Sequence, residues 1–123
     1  MKKYAKNYLK FLLKTVYGKK YKSIYKNIKK NLQLPKNNQY LTCEIIEFYI
    51  IIKIILNDTS FFYYKKELNL KNYFLKKIKT LKQNEIFKEN PELKDLLNKT
   101  EKEIDNIPEL VFLLNKLKNF LLK

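Results

Sequence analysis

No histidine and no tryptophan occur in this chain, all 27 of its basic residues are lysine, and glycine and cysteine appear once each. Each absence removes a class of function. Without His, the commonest general base and the usual partner of a Ser or Cys nucleophile is missing. Cys43 stands alone, so no internal disulfide closes and no cysteine–histidine metal cluster assembles around it. It reads as a small buried hydrophobe in a reducing compartment. A single Gly rules out a glycine-rich phosphate loop. With only three Pro beside it, the chain also lacks the turn formers of an all-β fold and points to a few long helices. The absence of Arg weakens base-specific DNA readout, where bidentate Arg to guanine is the commonest contact, but leaves Lys–phosphate contacts untouched.

Long apolar runs are scarce too. The nearest is Ile45 to Leu56, interrupted by Glu47 and Lys53, and shorter than the roughly 18 to 20 residues a bilayer span requires. The N-terminus shows neither an apolar h-region nor a small-residue cleavage site, so no secretory signal is expected. These absences together read as a binding protein rather than an enzyme, with no catalytic and no metal-ligating residues. Glu44 and Glu47 lie three apart on one helix face, a spacing that suits a shared metal or proton. The preferred reading is a complement to the positive end of a helix dipole.

What is present is charge of one sign on a helical pattern. The chain has 123 residues, a net charge of +15 and 46% hydrophobic residues, which suits one globular domain with a modest core. Lys, Asn, Ile, Tyr and Phe share AT-rich codons, so part of the lysine excess is compositional. Residues 1–36 hold twelve lysines and no acid, whereas residues 85–109 hold eight of the twelve acids. A cationic surface on the N-terminal helices follows, and with it an anionic partner: an acidic protein, nucleic acid or an anionic membrane.

The periodicity predicts an all-α bundle of about five to six helices. Tyr4, Tyr8, Leu12 and Val16, with Ala5, Leu9 and Leu13, stripe a first helix over about 2–17, and Gly18 sits at its C′ position. Tyr21, Ile24, Tyr25, Ile28 and Leu32 stripe a second over about 20–32, which Pro35 and the following polar run end. A third, over about 41–56, is apolar on nearly every face and so buried, with Ile45, Phe48, Ile52 and Ile55 in the core. Asp58 or Ser60 is placed to cap a fourth stretch over about 61–88, broken near Asn69. Asn90-Pro91-Glu92 starts a fifth helix bearing Leu93, Leu96, Leu97 and Ile104. Pro108-Glu109 starts the last, with Leu110, Leu113, Leu114, Leu117 and Leu121 on its face. The expected organisation is one domain: a basic three-helix unit over 1–57 and a helical extension over 58–123.

Tyr residues alternate with Lys along the first two helices. Such interleaving suits base stacking beside phosphate contacts, but Tyr4, Tyr8, Tyr21 and Tyr25 fall at core-facing spacing, which is the preferred reading.

Tyr8-Leu9-Lys10-Phe11-Leu12-Leu13-Lys14 resembles the opening of the LYR-motif (complex I LYR) family, whose first helix begins with a pattern like Leu-Tyr-Arg-x-Leu-Leu-Arg. Ile28-Lys29-Lys30-Asn31-Leu32-Gln33 is similar to the family's second-helix pattern, Ile-Arg-x-x-Phe-Arg. The polar gap before Thr42-Cys43-Glu44-Ile45-Ile46-Glu47 resembles its break before helix three. The resemblance covers about residues 4–56. It departs from the pattern in reading Tyr-Leu-Lys at the triplet, Leu32 in place of Phe, and Gln33 where a basic residue is usual.

The resemblance implies a three-helix mitochondrial accessory subunit or assembly factor that binds the acidic acyl carrier protein and a larger complex. It implies that Lys10, Lys14 and Lys29, with Lys6 beside them, face that partner. It implies further that the partner's acyl-phosphopantetheine chain enters the helices, for which the stripes suggest a slot among Leu9, Leu13, Ile28 and Ile46. The competing expectations are a nucleic-acid-associated protein, ribosomal or DNA-binding, that uses Lys–phosphate contacts, and a membrane-surface bundle. Without the resemblance, a cytoplasmic location is expected.

Overall fold

The computed structural model describes residues 3–60 and 69–123, with side-chain surroundings from residue 9 onward. Among the described residues there is no strand, and the protein is all-α. The helices are α1 (Lys3–Tyr17), α2 (Tyr21–Asn31), α3 (Gln39–Asn57), α4 (Leu70–Gln83), the single-turn α5 (Glu85–Lys88), α6 (Pro91–Lys102) and α7 (Ile107–Leu121). No helix among them is long and apolar enough to cross a membrane.

The chain divides into two compact units. One comprises Met1–Ile50 with Leu121–Lys123, the other Ile51–Phe120.

In the first unit, α1 ends where the lone glycine adopts φ +61, the left-handed conformation that a side chain would strain. A 3₁₀ turn, Gly18–Lys20, then leads directly into α2. α2 stops at Leu32, whose extended backbone bridges Leu122 in antiparallel fashion. Gln33 N–H donates to Leu121 O and Lys123 N–H to Asn31 O, so the chain's last residues are tied to the end of α2.

α3 begins two residues before the apolar pattern suggests, because Asn38 caps it. Its side-chain oxygen accepts from Leu41 N–H at 2.9 Å. Asn37 before it takes a left-handed φ of +62, a conformation Asn tolerates better than most residues. The early start corrects the expectation for the two glutamates. Glu44 and Glu47 lie beyond the first turn of α3, too deep to complement its dipole, and both are buried, at 6% and 0% exposure. Residues 43–52 are buried without interruption, Ile45, Phe48 and Cys43 included. A helix so covered needs apolar residues on all faces, which the run of Ile supplies.

In the second unit, α4 starts after Asn69, which holds a left-handed φ of +49. The break foreseen near Asn69 is therefore present; residues 61–68, the expected beginning of the fourth stretch, lie outside the described residues. Asp58 accepts from the Ser60 backbone N–H at 3.0 Å just ahead of them. The expected helix through 88 is interrupted at Asn84. This residue turns extended and its side chain accepts from Ile86 N–H, ending α4 and capping α5 in one step. Asn90 caps α6 by accepting from Leu93 N–H, with Pro91 in the first turn. α6 closes at Lys102, so Ile104 reaches the core from the following turn rather than from the helix. Phe74, Ile78, Leu81, Leu97, Leu110 and Leu114 are among the fully buried residues of this unit.

Candidate functional site

The first unit carries a groove of about 550 Å³ between α1 and α2. That volume is in the range of small-ligand sites. Its apolar strip comes from Leu9 and Leu13, four residues apart on α1 and both buried. Tyr21 and Tyr25, equally spaced on α2, line the groove as half-buried rings. The rim is cationic: Lys10 from α1, and Lys22, Lys26 and Lys29 from one face of α2, all exposed. No acid is found among the described residues that line it.

Gly18 makes this arrangement possible. The left-handed residue opens a 3₁₀ turn that joins α1 to α2 with only three residues between them. Lys14, just before the turn, lays its ammonium 5.5 Å from the centre of the Tyr21 ring, a cation–π contact that links the two helices at the groove's end.

The electrostatics of the unit are one-sided. Its only acids in sequence are Glu44 and Glu47, and both are buried in α3. The exposed lysines of α1 and α2 thus have no surface carboxylate of their own unit to pair with. Three phenols around the α1–α3 core are pushed above their ordinary pKa. Burial does this for Tyr25, with a smaller electrostatic contribution from Cys43; for Tyr17, with a contribution from Tyr49; and for Tyr49 itself. Tyr25 therefore stays protonated at neutral pH.

Four of the residues singled out in the sequence meet here: Leu9, Lys10, Leu13 and Lys29. Lys14 joins through Tyr21. Ile28 and Ile46 are buried but are not among the groove's lining residues. Lys6 lies on α1, and its side chain is outside the described surroundings. Sequence reasoning missed Lys22 and Lys26 as site residues and preferred the core for Tyr21 and Tyr25. The signal was present: Lys22, Lys26 and Lys29 recur at i, i+4 and i+7, one position along from the Tyr stripe, and so border it.

The second unit has a groove of about 520 Å³ between α6 and α7, lined by Glu92, Asp95, Leu96, Lys99, Lys116, Asn119 and Phe120. Here the charges balance. Asp95 and Lys99 pair at 3.0 Å along α6, and Lys116 sits 4.5 Å from the centre of the Phe112 ring.

Comparison with known proteins finds no matching family model, no matching curated protein and no matching solved structure.

Proposed function

We propose that the protein is a non-catalytic helical adaptor, an accessory or assembly subunit that docks an acidic protein partner on the α1–α2 groove. The partner class is an acyl carrier protein. Its acidic surface meets Lys10, Lys14 and Lys29, with Lys6 in line on α1, while its acyl-phosphopantetheine chain lies along Leu9 and Leu13. In this LYR-like reading the protein works in the mitochondrion, where it also joins a larger complex.

One observation carries the reading: an apolar strip and an unbalanced lysine rim share one groove. Nucleic acid would use the lysines and stack on Tyr21 and Tyr25, but it has little use for two leucines at the floor. An acidic partner that presents an aliphatic chain uses both.

The test is a native pull-down with intact-mass identification of protein and nucleic acid, repeated with three charge reversals. On an acidic protein, binding energy concentrates at the centre of the patch. Lys10→Glu and Lys29→Glu then abolish the complex, while Lys36→Glu barely matters. On nucleic acid the three act alike, each lowering the salt slope by about one. Equal effects together with co-purifying nucleic acid sink the adaptor reading. Either complex should weaken as salt rises, since exposed charges are screened beyond about 8 to 10 Å.

A further inference from the structure

The α1–α2 groove holds both halves of an amphiphile's binding site within one small volume. Leu9 and Leu13 are buried side by side at the floor, and Lys10, Lys22, Lys26 and Lys29 stand along the edges. Nothing in this chemistry requires that tail and anion belong to a protein. We propose that the groove binds a free single-chain anionic amphiphile, a long-chain fatty acid carboxylate, one molecule per chain, and that this ligand competes with the adaptor's acidic partner. The inference rests on the same groove as the adaptor reading and adds a small-molecule regulator to it.

The tail has a place because the half-buried Tyr21 and Tyr25 rings still expose apolar surface above the leucine floor, so a chain there removes that surface and its own from water. The volume of about 550 Å³ suits one ligand rather than an aggregate. The head has a place because three α2 lysines follow one helical stripe beside the groove. A carboxylate at any point along it lies within reach of a flexible ammonium. Their aliphatic stems extend the apolar wall while the charged ends stay in water. The anion is preferred because the unit's two acidic side chains are buried in α3 and none stands at the surface to neutralise the rim.

The test is calorimetric titration of the 123-residue chain with dodecanoate, kept below its micelle concentration. Decanoate, dodecanol and dodecyltrimethylammonium are run beside it. Saturation at one dodecanoate per chain is expected, with weaker binding of the alcohol and of the cation. Shortening the tail should weaken binding by at most about fourfold per methylene removed. Lys22→Glu with Lys26→Glu should weaken it by about tenfold or more. Lys30→Glu with Lys36→Glu changes net charge equally but lies outside the groove, and should have little effect. Circular dichroism checks that both variants keep their helix content. Non-saturable uptake, equal affinity for the cation, or equal effects of the two double variants overturns the proposal.

A second arm separates the two readings. Dodecanoate is added to a preformed complex with an acylated acyl carrier protein. Displacement supports the inference; a complex untouched at saturating dodecanoate refutes the competition while leaving the adaptor intact. Saturable dodecanoate binding with no carrier-protein complex would instead remove the adaptor reading and keep the ligand site.

Discussion

The two grooves are close in volume, about 550 and 520 Å³, and opposite in how they handle charge. Both are lined by two helices from one unit. The α6–α7 groove neutralises itself, with Glu92 and Asp95 beside Lys99 and Lys116. Elsewhere in the same unit Lys82 pairs with Glu101 at 3.1 Å, and Lys71 pairs with Asp105. The α1–α2 groove has lysines without acids. Paired exposed charges add little to stability and little attraction for a distant partner. An unpaired row of one sign creates a field that an anion can use. The difference lies in where the acids sit: in the second unit on the surface, in the first inside α3.

The comparison is sharpened first by stability, where the largest effect is expected from a core shared by neither groove. Phe74→Ala should destabilise the protein by about 3 to 5 kcal/mol, the range for removing a fully buried Phe. Chemical denaturation measures this, and a loss under about 1 kcal/mol would mean the α4 core is looser than the structure has it.

Binding comes next. Lys10→Glu with Lys29→Glu should cost the acidic partner about hundredfold in affinity and leave the denaturation midpoint nearly unchanged. The matched double reversal in the other groove, Lys99→Glu with Lys116→Glu, should leave partner affinity unaffected. If it costs as much, the field of the whole protein matters rather than the α1–α2 groove, and the contrast between grooves collapses.

Gly18→Ala should destabilise by roughly 1 to 2 kcal/mol. A Cβ there meets nothing within 4 Å, so the strain comes from the left-handed φ alone. Gly18→Asn should cost less. Both are read from thermal unfolding, and an alanine variant as stable as the parent would show that the turn need not be left-handed.

Alkaline pH gives a finer probe of the first unit. The phenols of Tyr17, Tyr25 and Tyr49 are raised above the ordinary value of 10.0 in the folded state. Above that value the unfolded chain has released protons that the folded one still holds, so stability present at neutral pH is lost as pH rises through 10 and beyond. Tyr25→Phe should reduce this loss, seen as a shallower fall of the denaturation midpoint with pH. An unchanged slope would contradict the burial of that ring.

The smallest effect belongs to the self-neutralised groove. Lys99→Ala removes an exposed pair with Asp95 and should cost only a few tenths of a kcal/mol. A larger loss by denaturation would give that groove a structural role its exposure does not suggest.

Much of the helix order was legible because its signals are local. The Asn90-Pro91 start needs only a side-chain oxygen next to the first turn, and Gly18 needs only a left-handed backbone. The same locality explains the misplacements. Asn38 and Asn84 each cap a helix, but both stand in polar surroundings where Asn also marks a loop, so their roles depend on which backbone N–H reaches them. The groove was half legible: Leu9 and Leu13 came from the helical stripe and Lys10 and Lys29 from the family resemblance, whereas Ile28 and Ile46, expected beside them, are buried and do not line the groove. A helical stripe says which residues face inward. It does not say which of them the next helix covers.

From the sequence alone came the helical class, the order of most elements and the lysine excess of residues 1–36, because these depend on periodicity, capping chemistry and composition. Only the tertiary structure decided that Glu44 and Glu47 are buried, that Tyr21 and Tyr25 are shared between core and groove, and that Lys22 and Lys26 complete the rim. Exposure is set by what other helices cover, and a residue's own neighbours in the chain carry no record of that.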